Sequence, residues 1–283
     1  MTTPALNNVN GATYRDGKVY LATNGGNVRG LYRLDATSGK AELLLNNYRA
    51  RRLNSPNDLI FDTQSNILFT DPWYGWINGF PGVQEPELPT AIYHFNTATR
   101  ALTPLHNSLL QMPNGLALSR DESTLYVADS NSSFEHAMSV RNVWAFDYNG
   151  KVPMLSNPRL IYQAPSGAPD GLRVTESGLL MATGTGGIDV INPSNGQLLG
   201  KINAPDDIIY NLEPIAGKGV WMLTGGKHIW KVTMKEGGNL RGTTSQMSPT
   251  PTEYLAMLQD YIVSLVSGGK DTAAAGKGNH GDL

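Results

Sequence analysis

The chain has 283 residues, 40% of them hydrophobic, enough to bury a substantial core in one or two domains. Lys+Arg 22 against Asp+Glu 24 leaves a net charge of −2, which provides no basic face for a nucleic-acid backbone. Cysteine is absent, which excludes disulfides, thiolate nucleophiles and Cys-ligated zinc.

Met1-Thr-Thr-Pro-Ala-Leu6 has neither a basic n-region nor an apolar h-region, and no apolar run is long enough to cross a bilayer. A soluble chain is expected, with no membrane partner and with the cytoplasm favoured unless the N-terminus is truncated. The elements begin at Asn10. Gly11 to Asn24 reads as strand, turn, strand, with Asp16-Gly17 as the hairpin turn, and a second pair follows at Gly30–Leu34 and Ala41–Leu45. Two hairpins make a four-stranded unit.

The pattern restarts four times. Ser55 to Pro72 forms two short apolar runs, Leu59–Phe61 and Ile67–Phe69, around a polar turn; a loop from Trp73 to Pro89 leads to Ala91–Phe95 and Ala101–Leu105. Pro113 to Ser130 repeats the motif and continues into Asn142–Phe146, Val152–Leu155 and Arg159–Tyr162. Pro169 opens a fourth unit through Gly187–Ile191 to Gln197–Ile202, and a fifth runs over Tyr210–Ile215, Gly219–Leu223 and His228–Val232. The residues that open the first four repeats, Asn10, Asn57, Asn114 and Asp170, are 47, 57 and 56 positions apart. Such periods, four strands each, predict an all-β propeller with about five legible blades over residues 1–233. A β-sandwich is the alternative, but it gives no reason for one polar residue at one phase. Residues 234–267 are expected to form a linker and a C-terminal amphipathic helix, with Tyr254, Leu255, Leu258, Tyr261, Ile262 and Leu265 on one face; 268–283 reads as a disordered tail.

In a propeller, equivalent points of successive blades meet around a central channel, so Asn57, Asn114 and Asp170 are expected to converge. Carboxylate and amide oxygens make a hard-cation site, suited to Ca²⁺ or Mg²⁺ more than to zinc. Against this stands a turn reading, since Asn114-Gly115 and Asp170-Gly171 are also common positive-φ turn dipeptides. Asp71 and Asp129, at the ends of the second strands, are expected to cap turns or to support the site from behind. The five histidines share no repeat phase and no i,i+4 pair, and G-x-S-x-G does not occur, which disfavours a serine hydrolase.

The motifs Leu53-Asn-Ser-Pro-Asn-Asp-Leu59, Phe69-Thr-Asp-Pro-Trp-Tyr-Gly75, Pro113-Asn-Gly-Leu-Ala117, Leu125-Tyr-Val-Ala-Asp129 and Pro169-Asp-Gly-Leu-Arg-Val174 resemble the gluconolactonase, regucalcin and luciferin-regenerating-enzyme family, closest to its bacterial gluconolactonase and fungal lactonohydrolase branches. The resemblance implies a six-bladed propeller with an axial divalent metal, commonly Ca²⁺, with Mg²⁺, Mn²⁺ or Zn²⁺ as other occupants, and hydrolysis of a small, sugar-type lactone. It implies Asn57, Asn114 and Asp170 as metal ligands, Asp170 and Asp58 as catalytic residues, and Asp58, Trp73 and Tyr74 as substrate-binding residues. The family also carries a metal-binding Glu in an N-terminal blade, whereas the first Glu here is Glu42. The chain therefore looks like a member lacking its first blade, and a non-catalytic module that binds a ligand or partner is the alternative to an active lactonase. A truncated gene model is a third possibility, and a strictosidine-synthase-like propeller, which uses no catalytic metal, is a weaker enzymatic alternative.

Overall fold

The alternating run Val9–Arg15 (β1) turns back as β2 (Lys18–Thr23) across Asp16-Gly17, whose φ values of 51° and 77° suit a two-residue hairpin turn. With β3 (Leu31–Leu34) and β4 (Ala41–Leu45) these form an antiparallel sheet in the order β1-β2-β3-β4. This computed structural model describes residues 2–105, 108–131, 140–215 and 219–238; the C-terminal helix and tail expected from the sequence lie outside them.

A two-stranded ribbon, β5 (Asn47–Tyr48) and β6 (Arg51–Arg52), leads to the second sheet. There β7 (Leu59–Phe61), β8 (Ile67–Asp71), β9 (Ala91–Phe95) and β10 (Leu102–Pro104) pair in sequence, and a one-turn helix α1 (Tyr74–Ile77) stands in the aromatic loop after β8. The third sheet is β11 (Pro113–Leu118), β12 (Thr124–Asp129), β13 (Asn142–Tyr148) and β14 (Leu155–Gln163). Its last strand begins at Leu155 and not at Val152, because Lys151 and Val152 are taken up by a turn whose amides bond the Asn149 side chain.

The fourth and fifth repeats are continuous. β15 (Leu172–Val174), β16 (Leu180–Asn192), β17 (Gln197–Ile215), β18 (Val220–Gly225) and β19 (Ile229–Thr233) form one five-stranded sheet in chain order. β17 is the shared member: Gln197 to Ile208 pairs with β16, and Ile209 to Ile215 pairs with β18. The fourth repeat's outer strand thus runs without a break into the fifth repeat's first strand.

Sheets stack face to face in chain order, which explains why strands such as β8 lack polar alternation. In β8, Ile67 and Phe69 pack with Ala22, Leu31 and Leu44 of the first sheet, while Leu68 turns to Leu116, Leu125 and Val127 of the third. In β12, Leu125 and Val127 face the second sheet, whereas Tyr126 and Ala128 meet Leu172, Val174 and Leu180 of the fourth. A strand buried on both faces reads as an unbroken apolar run. Burying each such side chain contributes about 1.5–3 kcal/mol. The stacking also brings first strands together: β1 touches β7, β7 touches β11, β11 touches β15 and β15 touches β17. This is the propeller arrangement, with the opening residues on its inner edge.

Candidate active site

The opening residues are held by a repeated backbone scheme. The Asn57 amide donates to the Thr70 carbonyl at 2.9 Å and the Asp170 amide to the Thr183 carbonyl at 3.1 Å, so each opener is tied to the second strand of its own sheet. The next residue ties it to the following repeat: the Gly11 amide donates to the Asn57 carbonyl at 2.7 Å, and the Gly171 amide to the Tyr210 carbonyl at 2.8 Å. Tyr210 thereby holds the opening phase of the fifth repeat.

This geometry overturns the turn reading of the Asn-Gly and Asp-Gly pairs. Neither Gly115 nor Gly171 has a positive φ, and Gly115 lies within β11. They are glycines because the next repeat's chain passes against them. A Cβ on Gly115 would stand 2.0 Å from the Asp170 carbonyl oxygen, one on Gly11 2.3 Å from that of Asn57, and one on Gly171 2.4 Å from the Asn211 side chain. At this same phase the second repeat carries Asp58 and the fifth Asn211, the two places where a side chain fills the space.

Three predicted residues meet directly. The Asn57 side-chain amide donates to Oδ1 of Asn114, and the Asn114 side chain lies against the Asp170 carboxylate and favours its ionised form. Asn57, Asp58 and Asn114 are buried, and Asp170 is half-buried. Burial, with the repelling charge of Asp58, pushes the Asp170 carboxyl up to about 8. Asp58 is only 3% exposed; its Oδ2 accepts from the Leu116 amide at 3.1 Å, whereas its Oδ1 has no hydrogen-bond partner among the described residues. Burial raises the Asp58 carboxyl too, against the opposing pull of Arg173 and nearby amides.

The positions around the ring are braced. The Thr70 hydroxyl accepts from the Asp58 amide at 3.1 Å and donates to the Asn114 carbonyl at 2.8 Å, joining two repeats. Two repeats on, the Thr183 hydroxyl makes a comparable link, donating to the Tyr210 carbonyl at 3.0 Å. The Asp71 carboxylate accepts from the Asn54 and Ser55 amides at 2.9 and 2.7 Å, and Asp129 accepts from the Met112 amide at 2.7 Å. Each clasps the segment that leads into Asn57 or Asn114, so capping and support of the site are one task.

Trp73 and Tyr74 lie in the loop above this edge. The Tyr74 hydroxyl lies 3.2 and 3.1 Å from the Met112 and Ser130 carbonyls, and its phenol is pushed well up by burial and by the charges of Asp170 and Asp129. The Trp73 indole donates to the Leu88 carbonyl at 3.2 Å and packs edge-on against Trp76. The described histidines lie elsewhere: His94 is buried in β9, 4.0 Å from Asp62, and His228 contacts Asp207 at 3.3 Å.

Arg173, Glu213 and Asn211 were not singled out as site residues from the sequence. Arg173 bonds Glu213 through Nε and Nη2, both at 2.9 Å, and its Nη1 lies 4.0 Å from Asp58. The signal was present, since Arg173 and Glu213 each stand three residues after an opener, Asp170 and Tyr210. The donor chemistry here fits a hard cation: amide and carboxylate oxygens on the inner edge, an orphaned buried carboxylate oxygen, and carboxylates that repel one another. Among the described residues no three His, Cys, Asp or Glu side chains alone form a metal cluster, so a cation here depends on the asparagines.

Fold and inner edge together define a β-propeller whose inner edge gathers amide and carboxylate oxygens. The family model described as SMP-30/Gluconolactonase/LRE-like region matches residues 2–212, and the chain belongs to that family. It is 34% identical over 210 residues to a lactonohydrolase of Aspergillus oryzae, covering 65% of this chain and 47% of that protein. To a gluconolactonase of Zymomonas mobilis it is 34% identical over 197 residues, covering 66% of this chain and 52% of the relative. The chain spans about half the length of these curated relatives. A solved gluconolactonase of Xanthomonas campestris superposes with a TM-score of 0.68 at 32% identity, over 79% of this chain and 71% of that one. A regucalcin of Agrobacterium tumefaciens, described as calcium-binding, shares the fold with a TM-score of 0.61 at 15% identity, over 83% and 78% of the two chains. Among the described residues no helix is long and apolar enough to cross a membrane.

Proposed function

We propose that this chain hydrolyses a small, sugar-type lactone, with Asn57, Asn114 and Asp170 holding a divalent cation, Ca²⁺ foremost, on the propeller axis. The observation that carries this reading is the meeting of the Asn57, Asn114 and Asp170 side chains from three repeats, beside a buried Asp58 oxygen that has no hydrogen-bond partner among the described residues. Kinship with proteins named gluconolactonase and lactonohydrolase supplies the substrate class.

A divalent cation, when bound, would polarise the lactone carbonyl. Asp170 is the group that moves protons. Its carboxylate, held against the Asn114 side chain, accepts a proton from the attacking water. The water oxygen bonds to the carbonyl carbon, the ring C–O bond breaks, and the released alcohol oxygen takes up the proton, for a net addition of one water. Asp58, fixed by the Leu116 amide and Thr70, orients substrate or the ring residues, and Trp73 and Tyr74 cover the substrate. The test is a panel of aldonolactones and simple γ- and δ-lactones with the purified chain. Turnover lost in EDTA and restored by calcium is expected. Calcium binding without turnover would instead support a ligand-binding propeller, and neither activity nor binding would remove the proposal.

A further inference from the structure

Below the ring of opening residues the channel carries a second layer of charge. On β15, Arg173 follows Asp170 by three residues, and on β17 Glu213 follows Tyr210 by three, so the two hold one phase in neighbouring repeats and point the same way. They form a close pair, with Arg173 Nε and Nη2 each 2.9 Å from Oε2 of Glu213. The third hydrogen-bonding group of the guanidinium, Nη1, donates to the Leu172 carbonyl at 2.7 Å and stands 4.0 Å from Oδ2 of Asp58, which reaches in from the second repeat. Asp58 and Asp170 are near enough to repel each other. One guanidinium therefore faces two carboxylates, and a third lies just beyond.

The geometry points to Arg173 as the resident cation of this channel: its guanidinium offsets Asp58 and Glu213 and so weakens the hold of Asn57, Asn114 and Asp170 on a divalent cation. This inference rests on the reading of those three residues as a cation site. Physically, like charges in a partly desolvated channel repel strongly, and a fixed guanidinium beside the site opposes a doubly charged ion more than any surface charge does. Glu213 acts with opposite sign, since it cancels part of the guanidinium's field. The pair thus works as an affinity setting for the ion, with Arg173 as a positioning and charge-balancing residue and not a group that touches the reacting atoms.

Isothermal titration of the full chain with calcium chloride, at neutral pH and low ionic strength, tests this through the variants Arg173→Met, Glu213→Gln and the double variant. Arg173→Met is expected to bind calcium about tenfold or more tightly, Glu213→Gln about tenfold more weakly, and the double variant within about threefold of the parent. A merely structural pair would instead lower affinity in both single variants. If the parent binds calcium and Arg173→Met binds no tighter, the inference is overturned while the cation site stands. If Arg173→Met fails to fold by circular dichroism, weakening in Glu213→Gln with recovery in the double variant supports it, and parent-like affinity in Glu213→Gln overturns it. If the parent shows no calcium binding, a site gained in Arg173→Met supports both the cation site and the role of Arg173, and none gained overturns both.

Discussion

Gly115→Ala adds one methyl group at a close main-chain approach between the third and fourth sheets. Its Cβ would lie 2.0 Å from the Asp170 carbonyl oxygen and 2.8 Å from the Gly171 Cα, both main-chain atoms without a rotamer to yield. Ordinary contact between such atoms is about 3.5 Å, so β11 and β15 must part by roughly 1 Å or more. Overpacking of this kind costs about 1–3 kcal/mol. In a domain of this size that is a fall of about 2–12 °C in Tm. The displacement also separates Asn114 from Asp170, and a misplacement near 1 Å at a reacting centre lowers turnover by about 100-fold. Gly200→Ala is the matched control, because a Cβ there meets nothing within 4 Å, and its stability should change by less than about 0.5 kcal/mol. Urea unfolding and lactone turnover of the two variants provide the comparison. If Gly115→Ala proved as stable and as active as Gly200→Ala, close main-chain approach would not be the reason for glycine at this phase.

Thr70→Val removes a buried hydroxyl that accepts from the Asp58 amide and donates to the Asn114 carbonyl; a loss of about 2–4 kcal/mol by urea unfolding is expected, with Thr70→Ser close to the parent. Asp170→Asn should reduce lactone turnover by about 100-fold or more with little loss of Tm, and unchanged turnover would remove Asp170 from the mechanism. Asp71, pushed by burial up to about 7, binds its proton in the folded chain over a range where the unfolded chain has released it. Its contribution is therefore present at low pH and is lost as pH rises from about 4 to 7, so in EDTA the protein should be less stable at pH 7.5 than at pH 5, by about 1–3 kcal/mol. Urea midpoints at the two pH values check the sign; a rise towards pH 7.5 in EDTA would contradict it.

Much of the fold was legible because a propeller repeats its grammar. Ser55–Pro72, Pro113–Ser130 and Pro169–Ala182 share an opener, an apolar run and a second strand, and each appears as the paired inner strands of a sheet. Boundaries were less legible where chain continuity has no local signature. Nothing at Ile208-Ile209 marks the point where β17 leaves one partner strand for the next, because both halves of the strand are held by long-range pairing. The one-turn helix at Tyr74–Ile77 was likewise unannounced, its residues being ones that local propensity does not assign to helix.

Composition and periodicity by themselves determined the all-β class, the repeat and the phase at which Asn57, Asn114 and Asp170 stand, since a two-residue strand alternation and a blade-length period are written in local sequence. Only the tertiary structure decided why glycine follows two of those openers, because the contact lies between Gly115 and a carbonyl 55 positions away. It alone also joined Asp58, Arg173 and Glu213, residues of three different repeats whose charges meet only where the inner strands gather on the channel.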